Sequence, residues 1–139
     1  MRDWHAFNDG IVEAFRANHG TVPGRWVNQP LLVLTTTGAK SGLPRVSPLV
    51  YSTDGDRYVV IASKGGEPTH PDWYYNLLAH PEATIEVGGE TIPVRAEIAT
   101  GVERRRLFDQ QAALMPFFAE YERTTPREIP VVVLTRVMG

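Results

Sequence analysis

LLVLTTTGAKSGLPRVSPLVYSTDGDRYVVIAS, residues 31–63, decides the fold. Leu31–Thr37 is rich in side chains that pack well on a pleated surface, and Arg45–Ser52 and Arg57–Ser63 read as two further strands. Only the short turns Gly38–Gly42 and Asp54–Asp56 separate them. Connections this tight make hairpins, so an antiparallel sheet is expected rather than crossover units. Pro48 has no N–H to give a ladder, which predicts an edge or a bulge.

Working outward, Ala83–Val87 and Thr91–Ile98, joined by Gly88-Gly89, and then Val131–Thr135 bring the strand count to six. Pro71 suits the first turn of a helix running from Asp72 to Ala79, with Pro81 limiting its far end. Thr100-Gly101-Val102-Glu103 has capping-box spacing and predicts a helix over Val102 to Leu114, followed by an aromatic turn, Pro116 to Tyr121. At the start, Trp4, Phe7, Ile11 and Phe15 form one helical stripe. Packing on the barrel is its expected use, with peripheral contact to a membrane surface as the alternative. The expected architecture is α+β: a six-stranded, mostly antiparallel, partly open barrel with flanking helices, its curling burying the apolar face and reducing bare edges. Residues 1–20 are taken as the N-terminal amphipathic helix and 21–139 as the barrel domain.

Composition excludes several classes. The 139 residues are 42% hydrophobic and 22% charged, with a formal charge of −2, so a nonspecific nucleic-acid binder is not expected. Zero Cys removes disulfides, thiol catalysis and the familiar zinc patterns. His70 and His80 are too far apart in sequence to form a local metal pair, and no metal is expected. No apolar run approaches bilayer length, and MRDWHAFNDG lacks the apolar core of a secretory signal, so the cytoplasm is the expected location.

Charge points to a site. Arg25 to Lys64 carries +3 while the remainder carries −5. Within it, Gly38-Ala39-Lys40-Ser41-Gly42 with Arg45 pairs flexible backbone donors with a lysine charge, a hydroxyl and a guanidinium fork. An anion site and an exposed polar hairpin turn are equally good readings of it. Ser63-Lys64-Gly65-Gly66, where the third strand ends, is the second candidate, against an ordinary surface lysine. On the central helix, Trp73 and Leu77 suit packing and Asn76 offers a polar handle; Phe117, Phe118 and Tyr121 make either an apolar wall with a phenol or a plain hydrophobic cap.

Taken together, LLVLTTTGAKSGLPR, PLVYSTDGDRYVVIASKGG, HPDWYYNLLAHP and REIPVVVLTR, in this order and spacing, resemble the deazaflavin-dependent nitroreductase and quinone reductase family. The resemblance implies a split β-barrel and a dissociable hydride carrier, 8-hydroxy-5-deazaflavin (coenzyme F-420). It assigns Lys40, Ser41 and Arg45 to the cofactor's anionic part. Ser63, Lys64 and Gly65 would lie beside the cofactor, and Trp73 and Asn76 near the same pocket. Phe118 and Tyr121 fall on the substrate side, where Tyr121 would orient a quinone, enone or nitro acceptor or stabilise its developing charge. Ala39 stands where related turns often carry a basic residue, and Phe118 where some carry a tyrosine, which implies a more apolar pocket. An FMN-dependent oxidoreductase on a similar barrel, and a non-catalytic carrier of deazaflavin, haem or an apolar ligand, are the alternatives. A barrel edge also offers a surface for a homodimer.

Overall fold

A computed structural model describes residues 4–17, 30–64 and 68–137, with side chains from residue 10 onward in the first helix. The elements are α1 (Trp4–Ala17), β1 (Leu31–Thr37), β2 (Pro44–Val50), β3 (Ser52–Asp54), β4 (Arg57–Ile61), α2 (Asp72–Ala79), β5 (Glu82–Val87), β6 (Glu90–Ala99), α3 (Gly101–Leu114), α4 (Phe117–Thr124) and β7 (Val131–Arg136). Every strand pair is antiparallel, in the order β2-β1-β5-β6-β7-β4-β3.

The two margins of this sheet are consecutive pieces of one run, separated only by Tyr51. That run pairs with β1 through Leu31↔Val50 and with β4 through Ser52↔Val59, so the sheet curls round to meet itself. The single strand expected over Arg45–Ser52 is thus two, because the chain changes partner at Tyr51. The Tyr51 N–H still donates to the Pro30 carbonyl at 3.0 Å, which fixes the phase of the β1–β2 ladder. Residues of β2 two apart from Tyr51 face β1, so Pro44 and Pro48 face the open side, where a missing donor leaves no bond unmade.

The barrel interior holds Leu32, Leu34, Val60, Ile85, Ile92, Val94, Val132 and Leu134, with Trp73 and Leu77 of α2 packed among them. Outside, Val59, Ile61, Val131 and Val133 meet Leu107, Phe108, Met115 and Phe118 of the α3–α4 layer, while Leu31 and Val33 meet Val12 and Phe15 of α1. Burial on both faces explains why β1, β4 and β7 read as unbroken apolar runs. In β6 only one face is covered: Ile92, Val94 and Ala96 are buried, and Thr91, Pro93, Arg95 and Glu97 are exposed between them.

In α1, Val12 and Phe15 are buried, Ile11 lies at their margin, and Arg16 pairs with Glu86 of β5 at 2.6 Å. The side chains of Trp4 and Phe7 lie outside the described residues. The described part of the stripe is spent on packing, and no described helix is long and apolar enough to cross a membrane. The expected capping box at α3 does not form: Thr100 makes no side-chain cap bond, and the Glu103 carboxylate that would reach back to it is drawn instead to Arg106 at 2.8 Å and Arg57 at 3.3 Å. The aromatic turn after Pro116 continues as a helix, α4, through Thr124.

Candidate functional site

The β1–β2 turn is built from its glycines inward. Gly38 N–H donates to Leu43 C=O at 2.8 Å and Gly42 N–H to Gly38 C=O at 2.9 Å, with Gly42 in the left-handed region at φ +70°. A Cβ on Gly38 would lie 2.5 Å from Ser41 Oγ and 3.2 Å from the Leu43 carbonyl, so the turn closes only around a bare Cα. Ser41 Oγ accepts the Leu43 N–H at 3.2 Å and lies 3.4 Å from the Arg45 guanidinium. Ser41 therefore braces the turn and orients Arg45. Lys40, Ser41 and Arg45 are all exposed.

Asn76 supports this turn from beneath. Its side chain is buried on α2, its Oδ1 accepts the Ala39 N–H at 2.9 Å, and its Nδ2 donates to Thr36 Oγ1 at 3.1 Å. Trp73, one turn earlier, is 6% exposed and lies in the barrel core. Asn76 thus stands under the turn as a support, with both ends of its amide already engaged by the protein.

Electrostatics set this turn apart from most of the surface. Arg16, Arg57, Arg95, Arg104, Arg105, Arg106 and Arg123 each have a carboxylate within 4.0 Å. Among the described residues, Lys40 and Arg45 have none, and away from the turn neither has Arg136. Two exposed, unneutralised cations beside a rigid glycine turn are a donor set suited to phosphate or carboxylate oxygens. The residues present fit an anionic cofactor tail.

The second loop follows β4. Lys64 is held at φ +49°, a conformation that costs a side-chain-bearing residue about 1–2 kcal/mol. Its Nζ donates to Thr69 Oγ1 at 3.2 Å. Ser63 is buried, and Gly65 lies outside the described residues. The backbone here is gripped by Arg127, whose guanidinium donates to the carbonyls of Ala62 at 3.0 Å and Ser63 at 2.7 Å and lies 2.8 Å from His70 Nδ1. A guanidinium only donates, so His70 Nδ1 accepts and the imidazole is neutral with its proton on Nε2. Burial, and then the Arg127 charge, holds the His70 pKa below the ordinary histidine value. Burial likewise lowers that of Arg127.

Both loops rest on α2. Asn76 holds the turn that carries Lys40, and His70, at the foot of the helix, packs its ring at a tilt 4.9 Å from Tyr74 and edge-on 5.8 Å from Tyr75. The substrate-side candidates belong to another layer. Phe118 is 2% exposed, buried against β4 and β7 rather than lining open space. Tyr121 is half-buried, with ring contacts to Phe117 at 5.6 Å and Phe118 at 6.0 Å. Arg127, Thr36 and His70 carry no local sequence signal for these roles. Their partners lie 40 to 65 positions away in the chain, where no local pattern reaches.

A curled antiparallel barrel with flanking helices and two braced, cation-bearing loops defines a split-barrel protein. The model of the F420H(2)-dependent quinone reductase family matches residues 10–136, and the chain belongs to that family. It is 38% identical over 128 residues to the F420H(2)-dependent quinone reductase Rv1261c of Mycobacterium tuberculosis, covering 88% of this chain and 85% of that one. Among solved structures it is similar to an F420-H2 dependent reductase, FDR-A, with 39% identity and a TM-score of 0.70 over 76% of this chain and 93% of the other. A domain-swapped dimer is 34% identical, with a TM-score of 0.73 over 91% and 95% of the two chains.

Proposed function

We propose that this protein is an oxidoreductase that passes a hydride from reduced 8-hydroxy-5-deazaflavin, coenzyme F-420, to a quinone, and by the same chemistry to enone or nitro acceptors. Membership of the quinone reductase family supports the reaction class. The observation that carries the site is the pair of unneutralised cations, Lys40 and Arg45, on a turn locked by Asn76.

In this reading Lys40 and Arg45 hold the cofactor's anionic tail, and Ser41 keeps the Arg45 fork turned toward it. Lys64, presented by its left-handed backbone, faces the cofactor's ring system together with Ser63 and Gly65. When bound, the reduced deazaflavin supplies the hydride. The protein's contribution is positioning, which in favourable cases can lower a barrier by about 7–11 kcal/mol. Tyr121 orients the acceptor oxygen and donates to it as negative charge develops, and solvent provides the final proton. In the same reading residues 21–139 are the split-barrel deazaflavin-binding domain and 1–20 its N-terminal amphipathic helix. A homodimer belongs to the same reading, since a relative is a domain-swapped dimer, and light scattering of the purified protein tests it. A cytoplasmic location also belongs to it, tested by fractionation.

The deciding experiment supplies reduced deazaflavin or reduced FMN with menadione as acceptor. Rapid oxidation with deazaflavin alone is expected. Turnover with FMN alone would make the protein a flavin enzyme, and binding without turnover would make it a carrier.

A further inference from the structure

The structure assigns Arg127 a positioning role: its guanidinium, held on a neutral His70, sets the backbone from which Lys64 meets the cofactor. The inference rests on the functional reading above for its consequence, but its geometry stands on the protein alone. Arg127 spends two donors on successive carbonyls, Ala62 and Ser63, at the point where β4 ends. The next residue, Lys64, is in the left-handed region. A lysine holds that conformation against its own preference only where neighbouring groups over-determine it. The fork supplies that constraint because its planar donors fix two peptide planes at once, which a lysine ammonium cannot do.

His70 completes the clamp by accepting at Nδ1, and it can do so only while unprotonated. The charged and titratable groups around it are the Arg127 guanidinium from the chain before β7 and the phenols Tyr74 and Tyr75 of α2. Lys64 bonds the neighbouring Thr69. No carboxylate pairs with the imidazole among the described residues. Protonating His70 would occupy the Nδ1 lone pair that accepts from Arg127 and set a second positive charge beside the guanidinium, and the clamp would loosen. Its depressed pKa has the matching sign: stability from the neutral ring is present above the ordinary histidine value and lost as pH falls through the lower folded value.

Three variants test this: Arg127→Met, Arg127→Lys and His70→Gln, whose amide oxygen can still accept from Arg127 but does not titrate. In Arg127→Met the cofactor Kd should rise about tenfold or more, with kcat at saturating cofactor changing less than about twofold. Arg127→Lys should fail to restore binding. Between about pH 7.5 and about pH 5.5, wild-type affinity should weaken in a component that His70→Gln removes. Amide exchange in ligand-free protein reads the clamp independently. Peptides covering 62–70 should exchange about tenfold faster in Arg127→Met, and faster in wild type but not His70→Gln at the acid pH after correction for intrinsic rates. Unchanged affinity in Arg127→Met, or loop exchange indifferent to both Arg127 variants, overturns the assignment. If Arg127→Met does not fold, Arg127→Lys carries both readouts. Should wild type bind no deazaflavin, the functional reading falls while the exchange measurement still decides the clamp.

Discussion

Asn76 shows how much one side chain decides at the residue scale. Its amide faces two ways, accepting the Ala39 N–H and donating to Thr36, and so joins α2 to the turn that presents Lys40. Asn76→Leu keeps the volume but removes both bonds, and should cost about 1–3 kcal/mol of stability, read as a lower midpoint in urea unfolding. Cofactor affinity should fall with it, although the substituted side chain would touch no ligand. Tyr121 offers the complementary case. Tyr121→Phe keeps the ring contacts with Phe117 and Phe118 and deletes one hydroxyl. If that hydroxyl meets the developing charge, steady-state kinetics should show kcat down about 10- to 100-fold with cofactor Kd unchanged. An unaltered kcat would remove Tyr121 from the reaction.

At the scale of elements, the β3–β4 hairpin is fastened to α3 by charge. Arg106 grips Asp54 through two contacts of 3.1 Å and also Glu103 at 2.8 Å, while Arg57 reaches the same two carboxylates. Arg106, and then Arg57, holds the Asp54 pKa down to about 2, and Arg106 lowers that of Glu103. A carboxylate with a depressed folded pKa contributes stability above its ordinary range and loses it as pH falls toward the folded value. Acid should therefore loosen this junction between about pH 4 and about pH 2. Arg106→Gln should move the loosening to higher pH, visible in an acid titration followed by circular dichroism. This network was not legible in the sequence, since Asp54 and Arg106 lie 52 positions apart and only the closed barrel makes them neighbours. The strands were legible because burial on two faces writes LLVL and VVVL as unbroken runs, and burial on one face writes β6 as an alternation. Of the site, Lys40, Ser41 and Arg45 announced themselves by clustering at a glycine turn. The support that Asn76 gives the turn was not legible, because the direction a helical side chain faces depends on what the helix packs against.

For the whole molecule, the decisive feature is that residues 44–54 serve both margins of the sheet, with the change of partner at Tyr51. The barrel behaves like a cask whose first and last staves are cut from one plank. Length added elsewhere is forgiven: a short Gly/Ser insertion between Gly88 and Gly89, both in left-handed turn conformations, should cost less than about 1 kcal/mol. The same insertion after Tyr51 severs the hoop, leaving β2 and β3 free to find different neighbours, and should lower the thermal midpoint far more. The edges so uncovered are templates for another copy, so that variant should also elute from a sizing column as higher oligomers.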